Sequence, residues 1–338
     1  MLRKISTRAK TLASATARLS GSSFFLHRKH AQLVQTIVNA AAGDITSISE
    51  IEHLEGDDAQ RALDAIREIL NRPLEPSATK NNFEFSILDN ERLCNIMIQL
   101  SQNSKKVPSS LFFKIDVPGP FDEVPLRDGT CSCVYLSEYQ EKRVALKQLR
   151  LHGIWELTDD GKRDFYVACL RWECLSHPNV VPLYGLAEGS SLPTLVLPWF
   201  ERGNIRNYLQ RNDVESNVGQ RFTWISEVAS GLAYLHKNGI FHGGLRGERV
   251  LVSDEGVAQL TDVTTFSFQE QRAGWRTPEK DPGFRWVAPE IFEGSEVKAS
   301  SDVFSFALLC IEIFTAQVPF PDLTHTIVVL RILRGWTA

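Results

Sequence analysis

The chain has 338 residues and a formal charge of −4, with 43% hydrophobic, 9% aromatic and 23% charged residues. This is the composition of an ordinary globular protein, long enough for two domains, and nothing in it points to nucleic acid or to a membrane. The charge is uneven: Arg3, Lys4, Arg8, Lys10, Arg18, Arg28 and Lys29 fall in the first thirty residues with no acid among them, so the remainder is the more acidic part.

Residues 1–30 read as a disordered basic tail. Ile5, Leu12 and Leu19 recur every seven residues, which keeps open an amphipathic transit-peptide helix and mitochondrial targeting. The favoured location is cytoplasmic, because no continuous apolar run follows the charges as a secretory signal would require. Residues 31–105 carry three helical patterns. "AQLVQTIVNAA" puts Leu33, Val34, Ile37, Val38 and Ala41 on one face. "SISEIEHLEGDDAQRALDAIREILNR" predicts a helix entered through a capping box, Ser47 to Glu50, with Leu63, Ile66 and Leu70 as its stripe. Pro73 and Pro76 stop it, "NNFEFSILDN" reads as loop, and "ERLCNIMIQLSQN" gives Leu93, Ile96 and Leu100. Such stripes pack on one another, so a small helical bundle is expected, followed by a linker at 106–114.

From residue 115 the texture changes. "CSCVYLSEY" and "KRVALKQLR" are strand-like with a turn between them. "RDFYVACLRWECLSH" is helical, and "NVVPLYGLA" and "PTLVLPWF" are strands again. Helices then dominate. "FTWISEVASGLAYLHKNG" sets Ile225, Val228, Leu232 and Leu235 on one side and stops at Asn238-Gly239. A hairpin-like pair surrounds Asp254-Glu255-Gly256, and an apolar helix follows from Asp302. Its greasiest run, Val303 to Ala316, contains Glu312 and is too short to span a bilayer. The six cysteines, Cys94, Cys131, Cys133, Cys169, Cys174 and Cys310, show no CxxC pairs and read as reduced packing thiols. A strand-rich region followed by a helical one is an α+β architecture.

In this order the segments resemble the protein-kinase fold, with the nearest likeness to the tyrosine-kinase-like families, including the large sets of mushroom-forming fungi. "VALK" with Lys147 resembles the strand lysine that holds nucleotide phosphates. "LSHPNVVPLYG" is similar to the loop after the C-helix, "LVLPWFERGNIRNYL" to the hinge and its helix, and "RWVAPE" to the end of the activation segment. The resemblance covers about residues 115–335. It implies a bilobal domain at 115–338, with an N-lobe at 115–200 and a C-lobe at 201–338. After "TIVVLRILRGWTA" the family's last helices are missing, which implies a truncated C-lobe and a Glu290 without its usual arginine.

The chemistry of that family needs a nucleotide cradle, metal ligands, an anchored lysine and a base. Of the three loop glycines only Gly129 remains, beside Asp128. Ala168 stands at the C-helix glutamate position, and Glu173 lies on another face of that helix. In "IFHGGLRGERVLV" the base position holds Gly244 and the metal-binding asparagine position holds Arg249, with Arg246 in place of a lysine. Losing a general base alone costs about 10²–10⁴ in rate, and a guanidinium cannot ligate a metal. Of the metal-binding triplet, read as Asp262-Val263-Thr264, Asp262 alone keeps a ligand, with Lys147, Arg246 and Arg249 as cations expected around it.

These residues imply a pseudokinase: a signalling scaffold or binding module with little or no phosphotransfer. They leave Gly129, Lys147 and Asp262 as a candidate degenerate ATP site, either filled by its own cations and empty of nucleotide or binding ATP weakly without requiring Mg²⁺, with Asp262 the sole metal-ligand candidate. The rival readings are an atypical active serine/threonine kinase using Lys147 and Asp262, and an unstable fragment. Protein partners are expected through the helical region and the kinase-like surface.

Overall fold

The computed structural model describes residues 23–71, 87–118, 125–128, 132–149, 159–190, 192–211, 218–263 and 282–335. The basic tail through residue 22, Gly129, Cys131, Thr264 and the loop at 72–86 lie outside them. The chain divides into two compact units, one within Met1–Phe112 together with Asp159–Cys174, the other Phe113–Thr158 with Leu175–Ala338.

The first unit is helical: α1 (Ser23–Ala41), α2 (Ile45–Glu52), α3 (Gly56–Leu70), α4 (Ile87–Ser104) and, from further along the chain, α5 (Asp159–Glu173). Its core is built from Val34 and Ile37 of α1, Ile51 of α2, Leu63 and Ile66 of α3, and Leu93, Ile96 and Leu100 of α4, all buried. Leu33 and Val38 are only half-buried, so the stripe of α1 is narrower than its apolar sequence. The expected capping box at Ser47 is replaced by a different cap. Asp44 Oδ2 accepts from the Ser47 N–H at 2.9 Å, so the helix begins at Ile45 and ends at Glu52. A second helix restarts at Gly56, with Asp57 and Asp58 in its first turn opposing the helix dipole. The segment expected as loop before α4 is helical from Ile87 onward.

The second unit opens on a sheet ordered β1-β5-β6-β4-β3-β2. These strands are β1 (Phe112–Phe113), β2 (Arg127–Asp128), β3 (Ser132–Tyr139), β4 (Lys142–Leu149), β5 (Gly185–Ala187) and β6 (Thr194–Pro198). Alternation in "SCVYLSEY" buries Cys133 and Tyr135 against Val144, Leu146 and Val196. Gln140 and Glu141 both take left-handed backbone (φ 50° and 62°), the type I′ geometry that matches strand twist in a two-residue hairpin. The register sets Lys147 opposite Val134 on one side and Leu195 on the other. The linker is not featureless: Phe113 lies in β1, and its carbonyl accepts from Glu188 N at 2.8 Å.

Helices follow in the same unit: α6 (Ile205–Arg211), α7 (Val218–Lys237), α8 (Pro289–Phe292), α9 (Ala299–Thr315) and α10 (His325–Leu333). Between α7 and α8 runs the hairpin β7 (Val250–Val252) and β8 (Ala258–Leu260). Trp224, Val228, Leu232 and Leu235 bury the face of α7, with Trp224 taking the place expected for Ile225. The helix ends where Gly239 turns left-handed (φ 69°) and Ile240 N donates to Leu235 O at 3.0 Å, a Schellman stop. The architecture is α+β, a strand-rich lobe then a helical one, preceded by a helical region. Among the described residues no helix is long and apolar enough to cross a membrane.

Candidate functional site

The segment 240–249 links α7 to β7, and its shape is fixed from α9. Asp302, at 0% exposure, accepts the N–H of His242 at 2.8 Å on one oxygen and that of Gly243 at 2.7 Å on the other. His236 Nε2 donates to the same carboxylate at 2.8 Å. A buried carboxylate must be satisfied in this way, so the loop is pinned at its start. His242 lies beneath it, with Nε2 donating to the Thr261 carbonyl at 3.0 Å and Nδ1 left to accept the Gly244 N–H at 3.3 Å. Burial, opposed by Asp302, lowers its pKa to about 4, so the ring is neutral and structural.

The middle of the loop rests on Glu312, also from α9. Glu312 accepts from the Gly247 N–H at 2.9 Å and from Arg206 Nε of α6 at 2.5 Å. A Cβ on Gly247 would overlap the Glu312 carboxylate, so this close approach requires glycine. Arg206 also reaches Glu248 at 2.8 Å and lies 4.8 Å from the centre of the Trp286 ring. Glu248 in turn accepts from Arg246 Nε at 2.9 Å. Burial raises its pKa, but Arg246, Arg206 and Arg127 outweigh burial and hold it below the usual carboxylate range.

Arg249 closes the loop. It is 5% exposed, and its Nη1 donates to the Gly244 carbonyl at 2.9 Å. Its Nε lies 3.4 Å from Asp262 Oδ2, an ion pair without hydrogen-bond alignment. The other Asp262 oxygen takes the Lys147 ammonium. Asp262 itself sits in left-handed backbone (φ 63°), which aspartate tolerates better than most residues. Burial works against its charge, yet Lys147 and Arg249 bring its pKa down to about 2. Lys147 is pulled the other way, lowered mainly by burial and partly restored by Asp262.

Lys147, Arg249 and Asp262 are therefore brought together, with Gly244 joined to them only through its carbonyl. Arg246 is engaged by Glu248, a carboxylate that sequence reasoning left out. Arg127, Arg206, Asp302 and Glu312 were missed too. Their roles depend on contacts between residues distant in sequence. Gly129 lies outside the described residues. Lys147 also lines a cavity of about 280 Å³, whose wall includes the apolar Val134, Ala145, Leu197 and Leu251. Two of its lining residues, Trp199 and Asn204, each carry a buried nitrogen, Nε1 and Nδ2, without a hydrogen-bond partner. Among the described residues no three His, Cys, Asp or Glu side chains cluster to hold a metal ion.

The family model described as protein tyrosine and serine/threonine kinase matches residues 123–336. Serine/threonine/tyrosine-protein kinase HT1 of Arabidopsis thaliana is 25% identical over 75% of this chain and 68% of its own length. Tyrosine-protein kinase csk-1 of Caenorhabditis elegans is 30% identical over 62% of this chain and 38% of its own. A probable serine/threonine-protein kinase of Dictyostelium discoideum is 27% identical over 65% of this chain, which spans 24% of that protein.

Proposed function

The chain belongs to the protein tyrosine and serine/threonine kinase family, and within that family we propose that it is a pseudokinase, a binding or scaffolding module with little or no phosphotransfer. The observation that carries the reading is Arg249, whose guanidinium spans the Gly244 carbonyl and the Asp262 carboxylate. Phosphoryl transfer depends on positioned charge and a base for the incoming hydroxyl. Gly244 has no side chain to take that proton.

These residues do not fit a divalent cation. Among the described residues Asp262 is the carboxylate at the position, its two oxygens face Lys147 and Arg249, and a metal there would meet two fixed positive charges. Fixed cations doing the neutralising work of a metal are a coherent alternative, since a buried carboxylate must be paired. The cavity beside Lys147 suits a planar apolar-faced group such as a nucleobase, and the unpartnered Trp199 and Asn204 nitrogens favour a ligand bearing acceptors. We therefore expect weak ATP binding that is indifferent to Mg²⁺. The chain's own contribution would be the apolar slot and the donors, with no proton moved.

Thermal melting with ATP, with and without Mg²⁺, tests this, because a ligand that binds only the folded state raises stability with its concentration. The expected result is the same small rise in both cases, together with no radiolabelled phosphate transferred to a generic acceptor protein. Strong stabilisation that needs Mg²⁺, or transfer abolished by Lys147→Ala, would favour an active enzyme using Lys147 and Asp262.

A further inference from the structure

The cavity beside Lys147 is lined by two arginines that the ion pairs described above do not use, Arg127 and Arg211. Arg127 of β2 is paired in register with Val134 of β3, which in turn faces Lys147 of β4. Directly paired residues project from the same face of a sheet, so Arg127 and Lys147 reach the cavity from one wall. Helix α6 supplies another part of the lining, through Asn204, Asn207 and Arg211 at helical spacing. The other charges of the lining are already matched. Lys147 is committed to Asp262, Glu248 to Arg206 and Arg246, and the exposed Glu201 to Arg143. Among the described residues no carboxylate lies within ion-pair distance of Arg127 or Arg211. Asn204 adds an unmet donor. It is 0% exposed, its Oδ1 is spent on the Asn207 N–H at 2.9 Å, and its Nδ2 has no hydrogen-bond partner.

At about 280 Å³ the cavity stands at the lower limit of ligand pockets, which run from roughly 300 to 1,000 Å³. That volume suits a small planar molecule better than a whole nucleoside triphosphate. We propose that the cavity is a site for a small planar aromatic anion, with its ring against Val134, Ala145 and Leu251 and its carboxylate or phosphate held by Arg127 and Arg211. Asn204 Nδ2 donates to the same ligand. Lys147 takes no part in holding the anion, because Asp262 already occupies it. Arginine suits either anionic group, since its planar fork of donors matches carboxylate and phosphate alike. Burial lowers the Arg127 pKa, Glu248 opposes the fall, and Arg206 and Arg211 add to it. The guanidinium stays charged at neutral pH nonetheless, and an anion beside it relieves the repulsion from its neighbours. The inference rests on the reading above only in that Lys147 stays with Asp262.

The test is isothermal titration of the full chain with three probes: naphthoate, naphthyl phosphate and the neutral naphthalenemethanol. At least one anion should bind roughly tenfold tighter than the alcohol, and the tighter of the two anions tells carboxylate from phosphate. Added salt should erode that preference. Arg127→Gln/Arg211→Gln should reduce the anions to the affinity of the alcohol, while Arg127→Lys/Arg211→Lys, which keeps both charges, should retain part of the preference. Arg211→Gln alone changes an exposed residue and should lose part of it in a chain that melts like the parent. Equal binding of anions and alcohol would overturn the proposal, as would no binding of either anion or a preference unchanged in the glutamine variants. Strong Mg²⁺-dependent ATP binding beside an intact anion preference would count against the pseudokinase reading and leave this site standing.

Discussion

Arg249 Nε stands 3.4 Å from Asp262 Oδ2, and the same guanidinium reaches the Gly244 carbonyl at 2.9 Å. One side chain thus links the two places where the family keeps a base and a metal ligand. The consequence is testable by removing the cation and restoring the groups it stands among.

Arg249→Asn should remove one of the two cations described at Asp262, at a cost of roughly 1–3 kcal/mol in stability. It should also make ATP-induced thermal stabilisation depend on Mg²⁺, where none is expected of the parent chain. Gly244 is not among the residues with left-handed backbone, so an aspartate there meets no strain of that kind. The pair Gly244→Asp/Arg249→Asn should transfer about 10²–10⁴ more phosphate than Arg249→Asn alone. Equal transfer by the parent chain and the double variant would defeat the pseudokinase reading.

Acid should weaken the fold through His242. Its pKa falls from the ordinary 6.5 to about 4 on folding, chiefly through burial. A depressed folded value means that the unfolded chain binds the proton more readily. Stability from this group is therefore complete above pH 6.5 and is lost as pH falls toward 4, by about 3 kcal/mol. Asp262, depressed from 3.8 to about 2, adds a second loss below that window. Urea unfolding at intervals from pH 7.5 to 4.5 measures the slope. His242→Phe should be less stable at neutral pH but flatter across the range.

Arg206 and Glu312 form a buried pair whose members are not equivalent. Arg206→Met leaves the Glu312 carboxylate buried without its cation and should cost about 3–5 kcal/mol. Glu312→Gln keeps an acceptor for the Gly247 N–H and should cost less. A double-mutant cycle in urea should return a coupling of about 1–3 kcal/mol, and a value near zero would show that the pair is incidental.

Arg67→Ala should release the end of α5 from the N-terminal helices. The largely buried Glu173 loses its cation while keeping the Asn71 hydrogen bond, with an expected cost of about 2–4 kcal/mol. Hydrogen exchange should quicken in residues 159–173 before it changes in α7, which lies in the other unit.

Local pattern carried far in this chain. The β3–β4 hairpin, the stop at Gly239 and the burial of Leu63, Ile66 and Leu93 follow from alternation, turn chemistry and helical spacing. The identity of the altered loop followed from His242, Gly244 and Arg249 in their frame. What escaped was whatever depends on distant partners. Arg67 and Glu173 are joined across two segments, and neither residue advertises the other. The spacing along α5 places Glu173 on a different face from Ala168, and the cation it meets there, Arg67, lies 106 residues away in sequence. Helix α5 was assigned by its order in the chain, whereas its packing partners are the N-terminal helices. Ser47 looked like a cap because its spacing to Glu50 was right, but Asp44 lies one turn earlier and binds more directly.

Asp302 gives the loop at 240–249 a support that is independent of what the loop does. Its carboxylate holds the backbone of His242 and Gly243 from below, through main-chain N–H groups that every non-proline residue possesses. Side chains above that backbone can therefore change without the path of the chain changing. The loop can therefore carry Gly244 and Arg249 on a backbone that would hold other side chains at those positions along the same path.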